Sequence, residues 1–201
     1  EEAAEKVSKG MYVHLRAGSA TRNVATNCKA VTAANLRRFM MCTDDRHAAD
    51  IKDKGHLDNA LRIAVKAGMD PVWAVTAATL NTAECYRLYG KGAIAPGYDA
   101  DIAVFDDLTN FKCAYTFKNG KLVAKDGEAL FDAGEKFLPD AVKNTVHIGQ
   151  VSADSFKLGL KGKKANVIRL ISNNVVTERV VREVESKDGD VVLKGTDLLK
   201  M

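Results

Sequence analysis

The stretch Phe39-Met40-Met41-Cys42-Thr43-Asp44-Asp45-Arg46-His47 joins an apolar run suited to a buried strand to two carboxylates, a guanidinium and an imidazole. In sheets and barrels of parallel strands, ligands and catalytic groups collect at the carboxyl ends of the strands. Chemistry is therefore expected just past Cys42. Upstream, Met11–Arg16 has strand-like composition and Ala17-Gly18-Ser19-Ala20 turns the chain. A helix is expected from Thr21 to Arg38, with Val24, Val31 and Leu36 set among small residues. Strand, helix, strand implies parallel strands joined by a right-handed crossover, which puts Arg16 and Asp44 at one edge of the sheet.

Downstream, residues 46–55 read as a polar loop. Residues 56–65 read as a helix with Leu57, Ala60, Leu61, Ala64 and Val65 on one face, ended by Gly68. Asp70-Pro71 starts another helix, with Asp as N-cap and Pro in the first helical position, and Val72, Val75 and Thr79 are expected on its inner face. Asn81-Thr82-Ala83-Glu84 has capping-box spacing, so a short helix is expected to run to Leu88 before Gly90. From Gly92 the pattern changes to turns and strands. Asp101–Phe105 reads as a short buried strand, and Cys113–Lys118 and Lys121–Lys125 flank Asn119-Gly120, the strongest short hairpin signal. Beyond Val142, residues 165–171 and 175–181 read as strands around an Asn173-Asn174 turn, and Asp188-Gly189-Asp190 suggests one more hairpin. The expected divisions are 1–90, 91–141 and 142–201. Glu1–Val7 reads as the back half of a helix, and Asp197-Leu198-Leu199-Lys200 stops amid an apolar pattern, so a piece of a longer protein is expected.

An apolar content of 46% over 201 residues is enough for a real core. Lys and Arg number 30 against 26 for Asp and Glu, a net charge of only +4. With no basic stripe interleaved with aromatics, nucleic acid is not an expected partner. The apolar runs fall short of the roughly 20 residues of a membrane-spanning helix, so no membrane partner is expected either. Cys28, Cys42, Cys85 and Cys113 form no C-x-x-C pair, which suits a reduced, cytoplasmic setting. No phosphate loop, serine-hydrolase elbow or dinucleotide fingerprint is present.

Asp44 and Asp45 read two ways. One carboxylate could face a site, or both could cap the following loop, for which Asp is a favoured residue. His47 and His56 lie near enough in sequence to invite a metal reading, against the commoner one of hydrogen-bonding loop imidazoles. Arg16 could offer its planar donor fork to a substrate or pair with either aspartate. Gly18-Ser19 could present backbone N–H groups to a ligand. His14, in mid-strand, reads as a satisfied interior residue.

These segments resemble bacterial adenine deaminases of the amidohydrolase superfamily. The residues that carry the resemblance are Met11-Tyr12-Val13, Arg16-Ala17-Gly18-Ser19-Ala20, Cys42–His47, Glu84 after Ala78-Thr79-Leu80-Asn81, and the Gly92–Asp101 motif. The last motif is shared across many amidohydrolases, whereas Thr43-Asp44-Asp45-Arg46-His47 is more particular to adenine deaminases. The resemblance implies an α/β plus β fold: the last two βα units of a metal-dependent (β/α)8 barrel, a small β-sandwich-type domain and a further β-rich segment.

It also implies deamination of adenine to hypoxanthine and ammonia, with Asp44 as both metal ligand and catalytic proton carrier. Arg16, Ser19, Asp45, Arg46 and His47 become candidates for substrate binding. The implied cofactor is a divalent metal, manganese or iron with zinc as an alternative, held in a longer parent and not necessarily bound by this chain. Ala17 stands where the family pattern has Glu, and the paired metal-binding histidines of strand one would lie upstream of Glu1. The chain alone is therefore expected to be inactive, and to be completed by further copies or by the remainder of its own chain. Two other readings stay open: another cyclic-amide amidohydrolase, or a catalytically silent interaction module.

Overall fold

A computed structural model of the chain describes residues 1–132, 134, 139–172 and 174–200. The chain divides into two compact units, Glu1–Asp132 and Ala133–Met201.

In the first unit, α1 (Glu2–Ser8) leads into β1 (Val13–Arg16), which pairs in parallel with β2 (Phe39–Cys42). The register is Val13 to Phe39, His14 to Met40, Leu15 to Met41 and Arg16 to Cys42. Alternation along the strands sends Val13, Leu15, Phe39 and Met41 into one core with the helices. His14 and Arg16 take the opposite face, where the His14 Nε2 and the Tyr86 hydroxyl are 3.2 Å apart.

The crossover departs from the sequence expectation. Instead of one helix over residues 21–38 there is a single turn, α2 (Val24–Asn27), then two short 3-10 turns, Cys28–Ala30 and Leu36–Arg38. Val31 is extended, and the Asn35 side chain accepts from Thr32 N at 2.7 Å while donating to Ala30 O at 3.0 Å. Asn and Thr compete for backbone partners in this way, and here they displace the helical ladder.

Helices follow β2, the first of them burying no residue and the next two packing on the core face. The polar segment after Arg46, expected as a loop, contains α3 (Ala48–Lys54), supported by a Lys54–Asp50 ion pair one turn apart. The helix α4 (Leu57–Lys66) buries Ala60, Leu61 and Ala64 as its pattern predicts. Asp70 caps α5 (Pro71–Ala78) by accepting from Val72 N and Trp73 N. Its buried residues are Ala74 and Ala77, with Val75 packed against the core as expected, while Val72 is 61% exposed and Thr79 is exposed too. Small residues at these two buried positions let the helix backbone approach the core closely.

Asn81 also differs from expectation. It lies inside α6 (Leu80–Cys85), which follows Thr79 and ends at Cys85, short of Leu88. Its amide is buried and donates to Leu36 O at 2.8 Å and Phe39 O at 2.9 Å. A side chain read as a cap therefore ties α6 to the entry of β2.

Gly92 closes the helical part. It has φ +87°, and a Cβ there would sit 2.8 Å from that of Ala83, so only glycine fits. An antiparallel sheet follows in the order β3 (Ile102–Phe105), β4 (Cys113–Lys118), β5 (Lys121–Lys125), β6 (Glu128–Ala129). The Asn119-Gly120 turn has positive φ at both residues, 49° and 75°, as a type I′ hairpin requires. Its Asn119 N–H donates to Asp101 Oδ1 at 2.9 Å, and Lys91 and Lys118 pair with the same carboxylate. The edge strand β3 is not buried as expected: Ala103 and Val104 are exposed.

The second unit holds two antiparallel hairpins, β7 (Lys164–Leu170) with β8 (Thr177–Glu183) and β9 (Glu185–Lys187) with β10 (Asp190–Val192). The Asp188-Gly189 turn again has positive φ at both residues. Of the expected Asn173-Asn174 turn, Asn173 lies outside the described residues, as do positions 133 and 135–138 of the expected 91–141 segment.

Asn81→Ala leaves the Leu36 and Phe39 carbonyls without this donor. Loss of a buried hydrogen-bond partner of this kind costs about 1–3 kcal/mol. A fall of that size in urea-unfolding stability is expected; a change under about 0.5 kcal/mol would mean the tie is not holding β2.

Candidate functional site

The parallel register brings the carboxyl ends of β1 and β2 side by side, with the loops of residues 17–22 and 43–47 facing each other. Asp44 lies two residues beyond β2 in the left-handed conformation, φ 54°, which Asp tolerates better than most residues. Its carbonyl accepts from Arg46 N at 2.8 Å, closing a tight turn centred on Asp45. The Asp44 carboxylate is about half exposed, and its Oδ2 accepts from the Arg16 guanidinium at 2.8 Å. Among the described residues its Oδ1 has no partner.

Asp45 faces the other loop. Its Oδ2 accepts from Ala20 N at 2.7 Å, and Oδ1 lies 3.5 Å from the Thr21 hydroxyl. The Ala20 N–H holds this carboxyl below the ordinary aspartate range. The fit leaves no room at Gly18, where a Cβ would stand 1.6 Å from Asp45 Oδ1. Gly18 thus accommodates a carboxylate of its own chain, and its N–H donates to Thr21 O.

Arg46 is likewise turned toward backbone. Its guanidinium donates to Ala17 O at 3.3 Å, Asp50 O at 3.4 Å and Gly55 O at 3.0 Å, with a buried Nε that has no partner. Ser19 donates to the Asp50 carboxylate and accepts from His47 N at 2.9 Å. The His47 ring itself is exposed and makes no hydrogen bond among the described residues. The His56 Nε2 lies 3.1 Å from the Thr43 hydroxyl.

Arg16, Ser19, Asp44, Asp45, Arg46 and His47 are therefore gathered at one edge, but in two groups. Asp45, Arg46 and Ser19 fasten the loops together, while the Arg16–Asp44 pair stands open. Asp50 and Asn23 contribute as well, and the sequence reading passed over both. Asp50 had a signal, an acid in the first turn of a short helix with Lys four residues on. Asn23 had none, because its role depends on the loop returning to β1: Oδ1 accepts from Arg16 N at 2.7 Å and its own N–H donates to Arg16 O at 2.9 Å.

Among the described residues no group of three or more His, Cys, Asp or Glu side chains comes together, and this edge offers Asp44 as a single outward carboxylate. Several donors are needed to hold a divalent ion. The residues of this chain alone do not fit one.

Residues 3–123 match the amidohydrolase family. The chain belongs to that family. It is 39% identical over its whole length to an adenine deaminase of Lysinibacillus sphaericus and 44% identical to one of Nitratidesulfovibrio vulgaris, covering 35% of each. An adenine deaminase of Geobacillus kaustophilus is 40% identical over 94% of the chain. This amidohydrolase chain thus spans about a third of the length of these curated relatives. Two crystal structures of a β-aspartyl dipeptidase from Fervidobacterium islandicum AW-1, one of them with a β-Asp-Leu dipeptide, resemble it in fold. They give TM-scores of 0.53 and 0.54 at 20% and 21% identity, over 67% of this chain and 38% and 36% of theirs. No helix among the described residues is long and apolar enough to cross a membrane.

Two outcomes follow from the loop fastening. Gly18→Ala forces the Asp45 carboxylate out of its place and is expected to cost about 1–3 kcal/mol, as overpacking does; an unchanged melting temperature would contradict the contact. Asp50 is held down from 3.8 to about 2, first by the Lys54 ammonium and then by the Ser19 hydroxyl. A carboxyl lowered in the folded state stabilises fully above its unfolded value and loses that contribution as pH falls through the folded one. Stability should therefore drop as pH falls from 3.8 toward about 2. Asp50→Asn should flatten that part of the profile in acid-unfolding measurements.

Proposed function

We propose that the chain is the portion of an adenine deaminase that carries the last two βα units of a (β/α)8 barrel, a small β-sandwich-type domain and the start of a further β-rich segment. The reaction would be hydrolytic: adenine and water give hypoxanthine and ammonia. The observation that carries the reading is the edge built by β1 and β2, with an outward carboxylate at Asp44, in a chain alignable end to end with proteins named adenine deaminase.

The chemistry asked of Asp44 is proton carriage. Water adds to C6 of the purine; Asp44 Oδ1 takes a proton from that water and returns it to the exocyclic nitrogen, so the C6–N bond breaks and ammonia leaves. A positioned general base and acid of this kind contributes about 10²–10⁴-fold. Of the candidates for substrate binding, Arg16, Ser19, Asp45 and Arg46 are engaged within the chain, and the exposed His47 imidazole has the most freedom to meet the ring. A divalent ion, manganese or iron with zinc as the alternative, belongs to this reading only with ligands from outside the chain. So do a cytoplasmic setting and completion by further copies or by the rest of the protein.

The test is ammonia release by the longer protein, assayed with adenine against hydantoin- and dihydropyrimidine-type rings. Adenine turnover is expected, falling about 10²–10⁴-fold in Asp44→Asn, with none from the 201-residue chain alone. Turnover of the other rings only would make it a different cyclic-amide amidohydrolase. A source reading frame without an upstream His-x-His segment would favour the silent interaction module.

A further inference from the structure

We infer that Arg16 is a positioning residue for Asp44: it occupies one carboxylate oxygen and so turns the other toward the reacting atoms, instead of binding substrate itself. This rests on the reading of Asp44 as the proton carrier. The geometry separates the two guanidiniums at the strand ends. Arg46 faces the carbonyls of Ala17, Asp50 and Gly55, which fixes it as part of the loop fastening. Arg16 has one side-chain partner among the described residues, Asp44 Oδ2 at 2.8 Å, and its side chain is only 25% exposed against 51% for Asp44. Arg16 is thus the less exposed member of the pair, as expected of a support.

Both ends of the pair are themselves held. Asn23 grips the Arg16 backbone from both sides, through Oδ1 on Arg16 N and through its own N–H on Arg16 O. Pairing of Arg16 with Cys42 in the parallel register fixes the distance between the strands at this point. On the other side, the Arg46 N to Asp44 O bond and the left-handed backbone set the direction in which Asp44 leaves the chain. A carboxylate that must meet both a water and a leaving nitrogen benefits from a fixed rotamer, since a misplacement of about 1 Å can cost on the order of 10²-fold in rate. Arg suits this better than Lys because its planar fork keeps orientation as well as charge.

The experiment uses the full-length protein with Arg16→Met, Arg16→Lys, Asp44→Asn and the Arg16→Met/Asp44→Asn double variant. Crystal structures of the wild type and Arg16→Met come first, because they do not depend on which substrate is right: the Asp44 carboxylate is expected to leave its wild-type rotamer, and an unmoved carboxylate would overturn the inference. With adenine, Arg16→Met is expected to lose about 10²-fold in kcat with KM within about threefold, as for loss of an interaction made only in the transition state. Arg16→Lys should recover part of that loss. In the Asp44→Asn background the Met change should have no further effect, as for two groups acting as one unit. A raised KM with unchanged kcat, or a full additional loss in the double variant, would instead make Arg16 a substrate-binding group. If the wild type leaves adenine untouched, the substrate reading fails and the crystallographic comparison alone decides the positioning role.

Discussion

One parallel pairing of two four-residue strands places everything else in the first unit. With Val13 opposite Phe39 and Arg16 opposite Cys42, one face of the pair supplies core side chains to the helices and the carboxyl ends bring two loops together. A slip of one residue would turn the core set outward and separate Arg16 from Asp44. The register is protected from several directions. Phe39 and Leu15 are fully buried, Asn81 holds Phe39 O from the far helix, and Ala17 N continues the ladder onto Cys42 O at 3.0 Å.

The polar groups at the strand ends divide into those that face the chain and those that face outward. Asp45, Arg46 and Ser19 satisfy loop N–H and C=O groups that the strand ladder no longer reaches, and the Asp50 carboxylate holds the Ser19 hydroxyl in turn. Their concentration beside Asp44 is therefore a property of the ends of parallel strands. It allows Asp44 to keep a left-handed backbone and an outward carboxylate at a point where the chain would otherwise be loose.

Much of this was legible in the sequence because it depends on local chemistry. Asp70-Pro71 states a helix start, Asn119-Gly120 and Asp188-Gly189 state hairpin turns, and the Leu57–Val65 pattern states a face. What was not legible depends on partners far along the chain. The crossover broke into turns because Asn35 found nearby backbone groups, and Asn81 became a buried tie because α6 docks against Leu36 and Phe39. Whether one of the adjacent aspartates Asp44 and Asp45 faces outward or both cap the loop was open in the residue pattern. It was decided by Gly18 and Ala20, residues whose position follows only from the strand pairing.

The close approach of Gly18 to the Asp45 carboxylate makes these two positions one heritable unit. A side chain at residue 18 is compatible with a shorter or absent carboxylate at residue 45, and a carboxylate at 45 only with glycine at 18. Arg16 and Asp44, whose bond is to each other, lie outside that contact.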